Sequence, residues 1–342
     1  MKKLFLSLSA AIGVFAAASC SQNELDPVKD ADMATITFTL GIEGNAATKA
    51  ISDGKSADKL VYAVYDVEGN LLPVFRSGKT QMTETIGDIT ETPYPVSITL
   101  AKSQTYKIVF WAQNSKCTAY NTADLEAVKV SYTQAESNDG DLNNDETRDA
   151  FYRMVELKVA GDQSVNVELK RPFAQINVGV IPEDWNAAVA SGVEIVESAV
   201  VIENAANEIN LLTGAVSGTE TVVTYIENII PDEILFVDAD KDGKEEEYIW
   251  VSMSYILAAD ESKDPDDNGV LGTNCTTLES LDYTFVPENG NPIEFSEGLT
   301  SVPVQRNWRT NILGRMLTGN VKFTITIDPE YDGDYIFPDD RK

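Results

Sequence analysis

Ile36-Thr37-Phe38-Thr39-Leu40-Gly41-Ile42 places Ile36, Phe38, Leu40 and Ile42 on one side of an extended chain and Thr37 and Thr39 on the other. Successive side chains of a strand point to opposite faces, so this stretch reads as a β-strand with one packed face and one polar face. The same habit recurs outward from it. Leu60 to Val67 reads as a strand ending in the turn Glu68-Gly69-Asn70. Val96, Ile98 and Leu100 follow, then Tyr106, Ile108 and Phe110, and Val165, Val167 and Leu169 precede Ile176, Val178 and Val180. In the second half Ile195 to Ile202, Thr221 to Ile226, Tyr248 to Leu257, Leu281 to Val286 and Val321 to Ile327 are strand-like. Only short helices fit between them, such as Glu183 to Ala190 around Trp185. Short strands with loops rich in Gly, Asn, Asp and Pro predict an all-β chain of two β-sandwich domains with few short helices. Lys170-Arg171-Pro172 is the expected joint, since Pro172 fixes the backbone between two strand runs. The N-terminal sandwich is then 33–170 and the C-terminal one 171–342.

Composition agrees with that size. The 342 residues are 43% apolar, enough for a core in each of about two domains of the usual roughly 100–200 residues. Lys and Arg number 26 against 55 Asp and Glu, a formal charge of −29, with no His. Such a surface repels phosphate backbones, so nucleic acid is not an expected partner. The absence of His removes Ser-His-Asp and Cys-His nucleophile systems, imidazole bases and His-ligated metals. No enzymatic activity and no cofactor are expected. Carboxylate pairs suited to glycoside cleavage could be drawn among so many acidic residues, but nothing in the sequence singles one out.

The first residues differ from the rest. Lys2 and Lys3 form a positive start, Leu4 to Phe15 is apolar, and Ala16, Ala17, Ala18 and Ser19 lead into Cys20, the pattern of an export signal over residues 1–19. Cys20 after small residues, followed by Ser21, Gln22, Asn23 and Glu24, resembles a lipoprotein signal in which Cys20 becomes the lipidated N-terminus and 20–32 a linker. Ala17 stands where Leu is usual, and cleavage by a soluble-type peptidase, with Cys20 an incidental thiol, is the alternative. Acyl chains on Cys20, each buried CH₂ contributing about 0.8 kcal/mol, would hold the protein on a membrane without a spanning segment. Cys117 and Cys275 are expected to be isolated buried thiols rather than a disulfide framework, and no Cys pair has metal-ligand spacing.

Asp238, Asp240 and Asp242 with Gly243 have the spacing of the first half of a calcium loop. Position twelve is Ile249, where a bidentate Glu belongs, and helical flanks are missing. The loop is a weak calcium candidate; a solvated acidic hairpin is the favoured reading. Asp139 to Glu146 lacks the turning Gly, and Asp264 to Gly269 reads as a turn. Trp111, Trp185, Trp250 and Trp308 could stack on sugar rings, but at strand positions such residues more often fill cores.

Two end strands carry the sharper argument. Ile36 to Ile42 is followed by Gly44 to Ala50, small residues that offer Lys49-Ala50 to a trypsin-like protease. At the other end Val321, Phe323, Ile325 and Ile327 alternate with Lys322, Thr324 and Thr326, just before Asp328-Pro329. Were the first strand cut away at Lys49, a groove would open for a strand from another copy, main-chain bonds giving affinity and side-chain pockets the register. The plainer alternative is that both are ordinary strands paired within one chain.

The lipoprotein-type signal, the alternating strand, Thr48-Lys49-Ala50 and two β-domains together resemble the fimbrillin, or type V pilin, superfamily of Gram-negative anaerobes. Arg171-Pro172-Phe173-Ala174-Gln175-Ile176-Asn177 is similar to its domain-joining segment, and Asn210-Leu211-Leu212-Thr213-Gly214 to a hairpin of its C-terminal domain. Val304-Gln305-Arg306-Asn307-Trp308-Arg309-Thr310-Asn311-Ile312-Leu313-Gly314 is similar to its late motif. The resemblance implies two transthyretin-like Greek-key sandwiches and export as a lipoprotein to the cell outer membrane with palmitate on Cys20. It further implies removal of residues 33–49 and polymerisation by donor-strand exchange, with 321–342 as donor, into an adhesive fimbria. Other fimbrial subunits are the implied partners, together with a host or bacterial surface ligand. Stalk subunits of the superfamily are typically cut after Arg, whereas Lys49 stands here and the first Arg is Arg76. A Lys-accepting protease, a tip, anchor or accessory subunit that keeps its first strand, and a non-polymerising surface lipoprotein that binds glycan or protein all remain open.

Overall fold

A computed structural model describes residues 32–42, 57–73, 79–89, 92–132, 148–226, 234–259, 276–295, 299–318 and 322–328. The chain is all-β. Its first half runs β1 (Met33–Ile42), β2 (Lys59–Asp66), β3 (Met82–Thr85), β4 (Tyr94–Ala101), β5 (Thr105–Gln113), β6 (Tyr120–Asn121), β7 (Val128–Val130), β8 (Ala150–Lys158) and β9 (Gln163–Leu169). After β10 (Phe173–Val180) comes the one helix among the described residues, α1 (Pro182–Ala190). Pro182 starts it with a preset φ, Glu183 and Asp184 sit in its first turn, and Gly192 turns the chain away with a φ of 81°. The rest is β11 (Ile195–Ala205), β12 (Glu208–Ile209), β13 (Val216–Ser217), β14 (Glu220–Ile226), β15 (Ile234–Val237), β16 (Glu246–Leu257), β17 (Thr276–Pro287), β18 (Ile293–Phe295), β19 (Thr300–Val304), β20 (Arg309–Arg315) and β21 (Lys322–Asp328).

Two sheets, β4-β1-β9 and β3-β2-β5-β8, come from residues before 170. They enclose one core, in which Phe38 and Phe110 bring their ring centroids to 5.2 Å. Two larger sheets, β15-β16-β10-β20-β21 and β14-β11-β17-β18 with β19 against β17, come from residues after 172. A small sheet, β13-β12-β7-β6, crosses between the halves through Ile209 opposite Val128. The second core also reaches across: Tyr120 packs 5.3 Å from Trp111 and 5.8 Å from Phe173. That explains why Leu60 to Tyr65 is continuously apolar. Leu60, Tyr62 and Val64 face the first core while Val61, Ala63 and Tyr65 face the second, so β2 has no wet side.

Most expected strands fall within one or two residues of those observed; β1, β5, β10 and β11 each run three residues further at one end, and β17 begins five residues earlier. Ten strands escaped the reading: β3, β6, β7, β12, β13 and β18, of two to four residues each, and β8, β15, β19 and β20. β8 opens with the wholly buried Ala150-Phe151-Tyr152, and β20 is buried from Thr310 to Leu313, so neither alternates cleanly. β15 and β19 are short, and β19 contains Pro303.

Candidate functional site

β1 is the middle strand of its sheet, antiparallel to β4 and parallel to β9. Phe38 lies opposite Val96 on one side and Val165 on the other. β4 and β9 are therefore joined through β1. Its inward side chains Ala34, Ile36, Phe38 and Leu40 are sealed from solvent, Ile42 is half-buried, and the outward Thr37 meets Ser97 at 3.3 Å. The Thr35 amide donates to Asp162 at 2.9 Å, which fixes the strand's start. Tyr62 packs with its ring centroid 6.0 Å from that of Phe110, tilted 36° to it, and donates its hydroxyl to Glu84 at 2.8 Å. Burial, and then that carboxylate, push the Tyr62 phenol far above its ordinary range, so it stays a donor.

β21 is an edge strand. Among the described residues it pairs with β20 alone, antiparallel, Phe323 opposite Gly314 and Ile325 opposite Ile312, and Phe323, Ile325 and Ile327 are half-buried. Gly314 is required by this closeness: a Cβ there would stand 2.2 Å from the Lys322 carbonyl oxygen and 2.7 Å from Phe323 Cα. The chain between the two strands is held by Asp184, whose side chain is wholly buried. Its Oδ2 accepts the amides of Met316 at 2.7 Å and Leu317 at 2.8 Å, while Oδ1 accepts the Thr318 hydroxyl and faces Arg315 at 3.4 Å. The sequence offered no sign of this brace, because an acidic residue in a first helical turn has an ordinary helix-dipole reading and its partners lie far along the chain.

The three stretches that carry the family resemblance meet in space. β10 and β20 are parallel neighbours; Arg309 donates to Gln175 at 3.2 Å and Asn177 to Asn311 at 2.8 Å, the two Asn both buried. In the hairpin, Asn210 Oδ1 accepts the amides of Leu212 and Thr213, and Gly214 turns with a φ of 76°. Arg306 ties that hairpin to both halves, donating to the carbonyls of Gly214 at 2.6 Å and Ala258 at 3.1 Å and to the Tyr152 hydroxyl. Arg171, at the expected joint, lies over the Phe151 ring at 4.8 Å and pairs with buried Asp149 at 3.4 Å.

Asp238, Asp240 and Asp242 lie together in the β15–β16 hairpin, with Glu246 as a fourth carboxylate that the loop spacing did not suggest; one oxygen of each lies within 4.8 Å of the others. These carboxylates accept the loop's own amides: Asp242 and Gly243 donate to Asp238, and Ala239 to Glu246. Ile249 is buried in β16. Asp240 and Asp242 are exposed and Asp238 and Glu246 half-buried, and the four carboxylates stand close enough to share one cation. Trp111 in β5, Trp250 in β16 and Trp185 in α1 are core residues, and Trp308, just before β20, is half-buried. Cys117 is buried too. Cys20, Lys49, Ala50, Val321, Cys275 and the loops at 139–146 and 264–269 lie outside the described residues. No helix among the described residues is long and apolar enough to cross a membrane.

A family model described as "Family of unknown function (DUF6562)" matches residues 28–340. None of the curated proteins compared matches the chain. Among solved structures it is similar to the tip fimbrial protein Mfa3 of Porphyromonas gingivalis, C-terminally truncated, at 13% identity and a TM-score of 0.44, covering 86% of this chain and 99% of that one. A fimbrial assembly protein of Parabacteroides distasonis is similar at 12% identity and a TM-score of 0.40, covering 86% and 98%. A candidate cell adhesion protein of Bacteroides uniformis is similar at 12% identity and a TM-score of 0.48, covering 87% and 99%.

Proposed function

The chain belongs to DUF6562, a family of unknown function, and from that premise we propose that it is a structural subunit of a cell-surface fimbria. It is exported as a lipoprotein on Cys20 to the outer membrane, cut after Lys49, and polymerised by strand exchange into a fibre that serves adhesion. Each half acts as one domain, the N-terminal half receiving a strand and the C-terminal half donating one. No residue performs chemistry on a substrate.

The observation that carries this reading is the place of β1. It bridges β4 and β9, its inward face is the centre of the first core, and Lys49 follows it closely in sequence. Losing it would leave two strands with unpaired inner edges and a slot lined by apolar side chains, which only another strand satisfies on both sides. A glycan-binding lipoprotein that never polymerises would be marked by aromatic rings exposed in one patch, and three of the four tryptophans are buried instead.

Mass spectrometry of the N-terminus of protein sheared from the cell surface tests the proposal. A chain beginning at Ala50 without lipid is the expected result. A chain beginning at acylated Cys20 with β1 intact would sink it in favour of an anchor subunit or a stand-alone binding protein.

A further inference from the structure

Residues 170–172 carry the chain from one half to the other, and two domains on so short a link move against each other unless the surface between them is large and apolar. Here four separate parts of the first half are fastened to the second. β7 and β12 pair in main chain, Val128 opposite Ile209 and Lys129 opposite Glu208, and the pairing is extended by the Val130 amide to Asn207 and the Leu211 amide to Leu125, both at 2.9 Å. The Tyr132 hydroxyl donates to the Ala206 carbonyl and accepts the Leu257 amide at 2.9 Å. Tyr152 of β8 receives Arg306. The turn at Gly69 lies against Leu212, whose Cδ2 would stand 3.3 Å from a Cβ added there.

We propose that these contacts lock the junction, so that the chain is one rigid strut whose halves keep a fixed angle, with the hairpin Asn210 to Gly214 gripped between them and Arg306 and Tyr132 as the residues that hold it. The inference stands on the junction alone and holds whether or not the chain polymerises. If it does polymerise, its fibres bend between subunits and not within them.

The hairpin is held from several directions. Leu211 is sealed from solvent with its amide on Leu125, and Leu212 meets the Gly69 turn. Arg306 reaches three neutral acceptors at once, the carbonyls of Gly214 at 2.6 Å and Ala258 at 3.1 Å and the Tyr152 hydroxyl, and its guanidinium lies 5.2 Å from the centre of the Tyr152 ring. That span needs a planar fork of donors, which a lysine ammonium lacks. Gly214 keeps the space clear: a Cβ would stand 3.1 Å from Arg306 Nη1 and 3.3 Å from the Tyr152 oxygen.

Swinging the halves apart would break the bonds between β7 and β12 and bring Val128, Ile209, Leu211 and Phe173, all buried, into water. It would also part the rings of Tyr120 and Phe173, now 5.8 Å apart. Nor does the link supply slack. Lys170 exchanges both main-chain bonds with Tyr152, at 2.9 and 3.1 Å, and Pro172 follows with its φ fixed.

Hydrogen exchange resolved to single amides, on the full chain, tests the lock. The amides of Val130, Leu211 and Leu257 have their acceptors across the junction, while those of β5 and β10 report the two cores. A locked junction protects the three crossing amides to within about tenfold of β5 and β10. Crossing amides that exchange faster than that beside protected cores would mean halves that hinge, and would overturn the proposal. Tyr132→Phe removes the donor to Ala206 and the acceptor of Leu257, and Arg306→Lys keeps the charge but not the span. In each, exchange at Val130 and Leu211 should rise at least about tenfold with β5 and β10 unchanged. If neither variant moves those two amides, or if β5 and β10 rise equally with them in both, the junction has no opening that these residues control, and the roles given to them fall. The parent's own rates test the lock even where a variant does not fold.

Discussion

β1 and β21 carry the same alternation of apolar and polar residues, yet one sits between two strands with Ile36, Phe38 and Leu40 sealed, and the other hangs on β20 with Phe323, Ile325 and Ile327 half-buried. Pattern decides that a segment is a strand and which face packs. Position in the sheet decides what the strand contributes. Full burial of a large apolar side chain is worth about 1.5–3 kcal/mol relative to exposure, so the same residues weigh more in the centre than at the edge. An edge strand can leave with its fold intact; a central one has to be replaced.

The hardest way to break that contrast is to damage the centre. Phe38→Ala removes a ring from a sealed site against Phe110 and is expected to cost about 3–5 kcal/mol. Urea unfolding followed by hydrogen exchange should show protection falling in β4 and β9, the strands that β1 joins, before it falls in β10 and β16. Uniform loss across both halves would mean that the two cores unfold as one and that β1 has no local role.

Next comes the brace that separates the fixed chain from the detachable one. Asp184→Ala orphans the amides of Met316 and Leu317, at roughly 1–3 kcal/mol for each donor left buried and unpaired. Exchange of those amides should rise together with that of β21. If only β21 responds, Asp184 does not set the boundary.

How much of this was legible follows the same physics. Strands with one dry and one wet face, such as β1, β4 and β21, announced themselves by period, and β2 by its apolar run. β20 did not, nor did the opening of β8, because strand stretches buried on both sides lose alternation, and in β20 two of the buried residues are the polar Thr310 and Asn311, satisfied by Pro303 and Asn177. The motifs Arg171 to Asn177 and Val304 to Gly314 were visible as strings, but the pairing of Gln175 with Arg309 and Asn177 with Asn311 was not, since sequence carries no distance. Asp184, Arg306 and Glu246 were missed for that reason. Their partners are brought to them by topology.

At the edge itself, Gly314→Val is the gentler intervention. The added side chain meets the Lys322 carbonyl and Phe323 Cα, and such overpacking costs about 1–3 kcal/mol unless β21 moves away. The expected outcome is a monomer whose β21 amides exchange freely while β10 and β16 stay protected, with β21's own sequence unaltered. Protection retained in β21 would mean that the sheet absorbs the clash by another route.

The smallest effect sharpens the comparison most. Phe323→Ala deletes the same ring as Phe38→Ala, from a strand of the same pattern, but from a half-buried site with one neighbouring strand among the described residues. About half the burial is at stake, so the loss in the monomer should be roughly 1–2 kcal/mol, against about 3–5 at Phe38. Denaturant midpoints of the two variants, measured side by side, test the difference directly. Equal costs would make β21 as central to its sheet as β1 is to its own, and a strand of that weight could not be spared to a neighbour. A clear gap leaves β21 free to do more in another molecule's core than it does at the edge of its own.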